Sequence, residues 1–393
     1  MYTGSRIAIA VQGRFHAIEL AQALVRHGAQ PHIFSNYPAW ALLRLGYPTQ
    51  CGITSFWRHG ILTRLMAKTL GAQAGEAALH QMFGRWAARS IDAVRFDAVH
   101  LWSGIAEETL QTLRKKPRSP LLTIMRGSAH IRTQDEILLA EEQRAQIRID
   151  RPSAWMIARE EREYDLTDMI VCLSNFARNS FVERGFASER ITVAPLGVNT
   201  ARFLLSPESL TKRSERILRR EPLRVLTVGG FSFQKGIYDY ARVVEKFPGQ
   251  FRFVGAVSPE GRSLARSLES KVDFIGRIPQ TELAQHFAWA DLFFFPTLQD
   301  GFASVLTQAA AAGLPILTTT NCSGPDLVQH GVTGWIAPIR EPETLLQHLT
   351  WCDGHREDLS HMAATVAQAG QPQGWDRTAS ILLRTWIART AAK

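Results

Sequence analysis

The sequence is poor in cysteine and in long apolar runs, and each shortage excludes a class of protein. No run of 18 or more apolar residues occurs, so no membrane-spanning helix is predicted. The apolar stretch 7–11 is too short for the core of a signal peptide. No CxxC pair is present, which argues against a zinc ribbon or a disulfide framework and fits a reducing cytosol. The cysteines lie far apart, at Cys51, Cys172, Cys322 and Cys352.

The remaining composition is that of a globular protein with more than one core. The chain has 393 residues, of which 45% are hydrophobic and 21% are charged, so two domains are predicted. The formal net charge of +9 favours anionic partners, such as phosphorylated small molecules, an anionic membrane face or nucleic acid. No zinc-finger or RNP1-like motif accompanies this charge, so we expect no nucleic-acid partner.

Short apolar strands alternate with longer helix-like stretches in two successive sets. Continuous apolar strands between helices are typical of parallel sheets that are buried on both faces. We therefore predict an α/β protein with two doubly wound, Rossmann-like domains that face a cleft. The strands predicted for the first domain are 6–11, 31–34, 97–102, 121–125, 169–173 and 191–194, and those for the second are 224–228, 251–255, 271–275, 291–295, 314–317 and 334–337.

The domain boundary is predicted just after residues 193–199. The first domain then covers residues 1–200 and the second 201–372, with a final helix in 373–393. The polar stretch 206–222 is interpreted as a linker followed by a helix. Ligands of such sheets bind outside the carboxyl ends of the strands, so the loops that follow strands are the places to search for chemistry.

The first such loop in the second half spans residues 228–237. Gly229 and Gly230 let the backbone approach a ligand, and the following helix N-terminus favours an anion. Lys235 adds a full positive charge beside a bound phosphate. The loop is neither a Walker A loop nor a GxGxxG fingerprint, and a plain turn with a solvated lysine is the alternative.

The second loop covers residues 295–308. Asp300 occupies the expected N-cap of the next helix, and Gly301 permits close approach of a ligand. Gln308 comes eight residues later, about two helical turns on and on nearly the same face, so the two side chains can span a sugar and a ribose. The alternative is that Asp300 only caps the helix and that Gln308 is a surface side chain.

Two further loops, 318–327 and 274–278, complete the set. The first is polar and follows a strand, so either it lines the same cleft or it is an ordinary capping loop. In the second, Arg277 can stack on a base or pair with a phosphate, and an exposed loop arginine is the alternative.

In this order, the four loops resemble those of the GT-B-fold retaining glycosyltransferases of the large group 1, or family 4. The resemblance is strong over 223–349 and looser in the first half. The final helix, 375–387, resembles the helix that crosses back to the N-terminal domain in this fold. The matching stretches are 273–276, 290–297, 300–302, 309–316 and 331–335, with 13–16, 160–181 and 195–199 in the first half.

The resemblance implies a nucleotide-diphosphate sugar as the donor, held mainly by the second domain. It implies that Asp300 contacts the donor sugar and that His130, in the loop after strand 121–125, faces that sugar from the first domain. A structural histidine is the alternative for His130. The donor-binding residues expected are Gly13, Gly229, Gly230, Lys235, Arg277, Gly301, Phe302, Ala303, Ser304 and Gln308.

Three positions depart from the family pattern. Asp300 and Gln308 stand where the family usually has two glutamates, and Gly230 stands where it often has an arginine. Glutamine keeps one acceptor for the ribose and loses the charge, while a charged hydrogen bond contributes about 1.5–3 kcal/mol and a neutral one about 0.5–1.5 kcal/mol. Either weaker nucleotide affinity or a slightly different binding of the donor is therefore expected, with more of the diphosphate charge left to Lys235.

By this resemblance the chain is expected to be a hexosyltransferase that acts with retention. The acceptor would be a polysaccharide, a lipopolysaccharide or another glycolipid, and catalysis would rest on positioning and charge stabilisation. No DxD triplet occurs, so neither a metal nor another cofactor is expected. An epimerase, or a nucleotide-sugar-binding protein with weak catalysis, is the alternative.

Residues 55–70 combine apolar side chains at helical spacing with interleaved cations. Trp57, Ile61 and Leu65 belong to the apolar stripe, which also includes Leu70, and Lys68 is one of the cations. Such a helix can lie on an anionic membrane, although packing against its own domain is the alternative. We therefore expect a cytoplasmic protein, with peripheral contact at the inner face of the plasma membrane as an option.

Overall fold

A computed structural model describes residues 4–70, 75–369 and 374–391 of the chain. The strands of the first half are β1 Arg6–Val11, β2 Gln30–Ser35, β3 Gly52–Ser55, β4 Ala98–Trp102, β5 Leu121–Arg126, β6 Met169–Cys172 and β7 Ile191–Val193. Those of the second half are β8 Arg224–Val228, β9 Gln250–Val254, β10 Val272–Gly276, β11 Leu292–Phe295, β12 Ile316–Thr319 and β13 Gly334–Ala337.

Helices separate the strands throughout. In the first half they are α1 Ala17–Arg26, α2 Ala39–Arg44, α3 Trp57–Leu70, α4 Glu76–Ser90, α5 Glu107–Arg114, α6 Ile131–Ala145, α7 Ala154–Leu166 and α8 Asn175–Val182. In the second half they are α9 Pro207–Leu218, α10 Ile237–Lys246, α11 Arg262–Ser267, α12 Leu283–Trp289, α13 Ser304–Ala311, α14 Gly324–Leu327, α15 Pro342–Gly354, α16 Arg356–Gln368 and α17 Trp375–Ala391. None of them, in the ranges described, is long and apolar enough to cross a membrane.

The strands form two separate parallel sheets of the same winding. The first has the order β3-β2-β1-β4-β5-β6-β7 and the second the order β10-β9-β8-β11-β12-β13. In each sheet the strand order reverses beside the first strand, between β1 and β4 and between β8 and β11. A crevice opens at such a switch point, on the carboxyl side of the strands, and ligands bind there in folds of this kind.

The fold predicted from the sequence, α/β with two doubly wound Rossmann-like domains, is confirmed. Every residue of β4, β6, β11 and β12 is buried. Such strands contain continuous apolar runs, and this is why they could be predicted from the sequence. The sequence missed only β3 among the described strands. Its sequence, Gly-Ile-Thr-Ser, is half-buried at the edge of the first sheet and lacks a continuous apolar run.

The last helix, α17, packs on the first half of the chain although it follows the second sheet. Trp386 is buried in the core formed by the first sheet, and Thr378 Oγ1 donates to the carbonyl oxygen of Pro195 at 2.5 Å. Arg26 and Asp376 add an exposed ion pair between α1 and α17, with 2.8 Å between Nε and Oδ1. The helix therefore ties the end of the chain to the N-terminal sheet.

Candidate active site

Three strand-end loops of the second sheet are bonded to one another beside the β8–β11 switch point. The amide of Leu298 donates to the carbonyl oxygen of Gln234 at 3.0 Å, which joins the loop after β11 to the loop after β8. The amide of Asp300 donates to the carbonyl oxygen of Asn321 at 2.9 Å, which joins it to the loop after β12. The loops that carry Lys235 and Asp300 therefore form one continuous surface.

A glycine allows this close approach. Gly236 has φ +74°, and a Cβ atom at this position would lie 1.8 Å from the carbonyl oxygen of Pro296. Any other residue would force apart the loops after β8 and β11, because no real Cβ contact is that short. The neighbouring Lys235 is thereby brought against the end of β11, where its Nζ lies 5.7 Å from the ring centre of Phe295.

Lys235 and Asp300 form a half-buried ion pair at the centre of this surface. Nζ and Oδ2 are 2.5 Å apart, and the two side chains are 22% and 20% exposed. The other carboxylate oxygen, Oδ1, accepts from the amide of Phe302 at 3.2 Å. Asp300 is not the predicted N-cap, since α13 begins at Ser304 with Ala303 as its cap. It pairs instead with the cation that we expected beside the phosphates.

Gln308 lies inside α13 and is not a surface side chain. It is 5% exposed, and its Oε1 has no hydrogen-bond partner in the described part of the protein. A buried acceptor without a donor costs about 1–3 kcal/mol, so this oxygen is suited to a hydroxyl of a bound ligand. Ala303 and Ser304 stand at the start of the same helix, where free backbone N–H groups favour an anion.

Two buried polar groups that the sequence analysis did not single out lie in the adjoining loops. The Nε2 atom of Gln299 and the Oγ atom of Ser323 have no partner among the residues described. Gln299 precedes Asp300 and Ser323 follows β12, so both belong to the bonded loops. These two groups stand out only because they are buried without a partner, and the burial of a single polar side chain cannot be predicted from the sequence.

The first domain touches this surface at Gly301. A Cβ atom on Gly301 would lie 2.2 Å from the carbonyl oxygen of Gly127, which follows β5. The hydroxyl of Ser128 also donates to Oε1 of Gln299. Phe302 packs against the hydrophobic core of the first sheet. The second-domain loop that carries Asp300 is therefore in direct contact with the first domain.

The other glycines and the arginine of the predicted set occupy different surroundings. Gly13, with φ +92°, follows β1 at the first switch point, and its amide donates to Asn36 Oδ1 at 2.7 Å. Gly229 has φ +151° after β8. Gly230 is exposed, with open space around its Cβ position. Arg277 is exposed in the loop after the edge strand β10.

His130 is buried in the first domain. Its side chain is part of an aromatic cluster with Tyr164, Phe181 and Phe186, at ring-centre distances of 5.0, 5.0 and 5.8 Å. Nδ1 accepts from the amide of Arg132 at 3.2 Å and so caps α6. Burial lowers the pKa of His130 to about 3, which keeps the ring neutral. His130 therefore caps α6 through Nδ1, which is the structural alternative, while the catalytic role expected for it stays a prediction.

A cavity of about 430 Å³ opens at the carboxyl ends of β1, β4 and β5. Phe302 closes one side, so the cavity adjoins the loop that carries Asp300. Arg126 lines it, and its charge is neutralised by Glu160, with Nε and Oε2 3.2 Å apart. Sequence reasoning missed this cavity because its wall combines residues from several strands and from α4.

Groups that could bind a metal ion do not converge in the described ranges, where no cluster of three or more His, Cys, Asp or Glu occurs. All four cysteines are free. Burial raises the pKa of the Cys322 thiol to about 11 and that of Cys172 to about 12. Both thiols are therefore protonated at neutral pH, and neither is an activated nucleophile.

Two family models and several known proteins are similar to this chain. The family described as "Glycosyltransferase Family 4" matches residues 14–202, and the family described as "Glycosyl transferases group 1" matches 222–352. The amylovoran biosynthesis glycosyltransferase AmsK of Erwinia amylovora is 25% identical over 199 residues, which cover 47% of each chain. The chain thus spans about half the length of that curated relative. D-inositol 3-phosphate glycosyltransferase of Thermobispora bispora is 24% identical over 313 residues, covering 74% of this chain and 70% of the relative.

Solved structures share the whole architecture at low sequence identity. The sucrose-phosphate synthase of Thermosynechococcus elongatus superposes with a TM-score of 0.69 at 18% identity. The superposition covers 99% of this chain and 100% of that one. A likeness of this kind identifies the GT-B fold, with both sheets and the returning helix included.

Proposed function

We propose that this chain, which belongs to the group 1, family 4 glycosyltransferases of GT-B fold, transfers a hexose from a nucleotide-diphosphate sugar to a glycan or glycolipid acceptor. The acceptor class is a polysaccharide, a lipopolysaccharide or a lipid-linked sugar. The reaction proceeds with retention and needs no metal ion, and the second domain holds the donor. Lys235 takes the diphosphate, Gln308 the ribose and Asp300 the sugar.

The observation that carries the proposal is the unpaired oxygen of Gln308 in α13, the helix that follows the loop with the Lys235–Asp300 pair. Gln308 Oε1 is a buried acceptor that lacks a donor in the described structure, and a ribose hydroxyl supplies one. Lys235 supplies a cation one loop away. An acceptor for a sugar hydroxyl beside a cation for a phosphate matches the chemistry of a nucleotide-diphosphate sugar.

In this proposal the protein contributes charge stabilisation and positioning. The leaving diphosphate gains negative charge as the glycosidic bond breaks, and Lys235 and the start of α13 stabilise it. The leaving phosphate takes the proton of the attacking hydroxyl, so no protein nucleophile is required. Activity should therefore survive exhaustive chelation with EDTA, and its loss would contradict the metal-independent part of the proposal.

The test is a binding screen followed by a transfer assay. UDP-, GDP- and ADP-sugars are compared by thermal shift, because a ligand that binds only the folded state raises its stability. The preferred donor is then incubated with glycan and glycolipid acceptors, and release of nucleoside diphosphate is measured with and without acceptor. Binding without acceptor-dependent release would favour the alternative, a nucleotide-sugar-binding protein with other or weak chemistry.

We also propose that α3 contacts an anionic membrane. Its apolar stripe is exposed rather than packed on the domain, since Trp57, Ile61 and Leu65 are 46%, 53% and 57% exposed. Arg58 and Arg64 lie on the same helix. The side chains of Lys68 and Leu70, which the sequence analysis also named, lie outside the described residues. Contact of this kind fits a cytoplasmic enzyme whose acceptor is a glycolipid.

Vesicle flotation tests the membrane contact. Binding is expected to vesicles of phosphatidylcholine with phosphatidylglycerol, and much less to phosphatidylcholine alone. Ile61→Ser with Leu65→Ser should abolish flotation, while Leu204→Ser, a change at an equally exposed apolar residue outside α3, should not. Equal flotation of both variants would contradict the proposed role of α3.

A further inference from the structure

The cavity beside Phe302 contains a histidine whose tautomer is fixed by the backbone. His80 comes from α4, and its Nδ1 lies 3.0 Å from the carbonyl oxygen of Gly104. A carbonyl oxygen can only accept a hydrogen bond, so Nδ1 carries the hydrogen. Burial lowers the pKa of His80, so the ring is neutral at neutral pH and Nε2 keeps its lone pair.

The carbonyl group that fixes His80 is itself held from two sides. Arg159 Nε donates to the same oxygen of Gly104 at 2.7 Å, and the amide of Gly104 donates to Glu163 Oε2 at 2.6 Å. Gly104 has φ +84°, and an added Cβ would lie 3.1 Å from Met156 Sδ. The orientation of the imidazole is therefore set before any ligand binds.

The polar groups in the lining of this cavity offer hydrogen-bond acceptors to a ligand. The hydrogen bond of the His80 ring in the described structure is the one that Nδ1 makes to Gly104, so its lone pair at Nε2 is the acceptor it offers. Oε1 of Gln12, a buried atom that also lines the cavity, has no hydrogen-bond partner among the described residues. The one arginine in the lining, Arg126, already pairs with Glu160. Hydroxyl groups donate to such acceptors, whereas a phosphate has no hydrogen to give and finds no free cation here.

The apolar part of the cavity wall can pack against a sugar ring. Trp102 and Phe302 line the cavity together with Phe15, which is exposed at its mouth. Aromatic faces pack against the C–H surface of a sugar, while its hydroxyls point to the polar groups at the edge. The volume of about 430 Å³ is within the range of pockets that hold small molecules.

We propose that this cavity binds the acceptor as an uncharged, hydroxyl-bearing sugar ring, and that Nε2 of His80 accepts a hydrogen bond from one of its hydroxyls. The inference rests on the proposed transferase function and specifies its acceptor. His80 is a positioning residue here, because the leaving phosphate takes the proton.

Two variants of His80 distinguish the role of Nδ1 from the role of Nε2. His80→Asn keeps a donor at the Nδ1 position, and thus the bond to Gly104, but removes the acceptor at Nε2. His80→Gln places an amide oxygen where Nε2 was. His361→Asn, at an exposed histidine on α16, is the matched control.

The probes are methyl glycosides of glucose, galactose and mannose, compared with the 6-phosphates of the same sugars. Binding is measured by saturation-transfer NMR and acceptor KM in the transfer assay. We expect the neutral glycosides to bind more tightly than the phosphates, and His80→Asn to raise Kd and acceptor KM about tenfold, the factor for loss of a neutral hydrogen bond. His80→Gln should recover most of that loss, and nucleotide binding should not change in either variant.

The outcomes distinguish this inference from the proposed function. If the wild-type enzyme transfers sugar but the phosphates bind best, or if His80→Asn has the same acceptor KM as the wild type, the inference is wrong and the function stands. If no nucleotide sugar binds or turns over, the function itself is wrong. Imidazole 15N spectra of the wild-type protein give a check that does not depend on activity, since a hydrogen on Nε2 instead of Nδ1 would overturn the tautomer argument.

Discussion

Replacement of Gln308 by glutamate should tighten nucleotide binding and, at the same time, lower the folding stability of the protein without ligand. The side chain is 5% exposed, and its Oε1 lacks a partner in the described structure. Gln308→Glu adds a second acceptor and a charge at nearly constant volume. In the free protein, that charge is buried without a partner, which costs more than the about 1–3 kcal/mol of a neutral unpaired group.

The gain on binding follows from the same geometry. A neutral hydrogen bond contributes about 0.5–1.5 kcal/mol and a charged one about 1.5–3 kcal/mol, so the exchange adds roughly 1–1.5 kcal/mol. This corresponds to a Kd about five to ten times lower for the nucleoside diphosphate that the wild type prefers. Gln308→Met, which has no acceptor oxygen, should do the reverse, with a free protein at least as stable as the wild type and weaker binding.

Calorimetric titration gives Kd, and thermal unfolding without ligand gives Tm. The expected pattern is a lower Tm with a lower Kd for Gln308→Glu, and a Tm that is unchanged or higher with a higher Kd for Gln308→Met. If both variants bind nucleotide as the wild type does, the oxygen of Gln308 does not contact the ribose. The reasoning from its unpaired state would then be refuted.

Three further changes test other parts of the site. Lys235→Ala should weaken binding of all nucleoside diphosphates but not of nucleosides in calorimetric titration, because only the diphosphate meets the cation; equal losses for both ligands would contradict that role. Gly301→Ala should reduce transfer activity and Tm together, since the new Cβ would lie 2.2 Å from the carbonyl oxygen of Gly127, and a variant with both unchanged would show that the loops separate freely. The folded-state pKa of His130 is lowered to about 3, so its contribution to the free energy of unfolding is present above the unfolded pKa near 6.5 and is lost as the pH falls toward 3. His130→Asn, which can still cap α6, should flatten this acid limb in urea unfolding, and an unchanged slope would mean that the ring protonates in the folded state.

The sequence predicted those features that depend on continuous patterns. Buried parallel strands leave apolar runs, and the glycines and charges of the loops after β8 and β11 follow those runs directly. Lys235, Asp300 and Gln308 could therefore be singled out as candidates, and their roles stay predictions. The edge strand β3 has no such run and was missed. A pattern of this kind locates a loop, but it does not report which atoms a side chain will meet.

Two of the histidines of the first domain, His130 and His80, show where this limit lies. His130 follows β5 in the chain and was the natural candidate, yet its ring turns into an aromatic cluster and caps α6. His80 belongs to a helix, far from any strand end in the sequence, yet it reaches the cavity because α4 passes beside the loop that carries Gly104. Only the fold decides which of these two histidines lines the cavity.

The two domains differ in how the charged groups near the site are paired. This difference argues that the domains bind different substrates. On the second domain, the cation Lys235 is held by Asp300 in a half-buried pair, which a diphosphate would have to open if the two residues bind the donor as proposed. On the first domain, the charge of Arg126 is already matched by Glu160, and the same cavity is lined by the acceptor Oε1 of Gln12, which has no donor in the described structure. An exchangeable charge favours the anionic donor, and unpaired acceptors favour neutral hydroxyls. Under the proposed function, we therefore expect the donor to bind to the second domain and the acceptor to the first, with the Gly127–Gly301 contact joining the two domains.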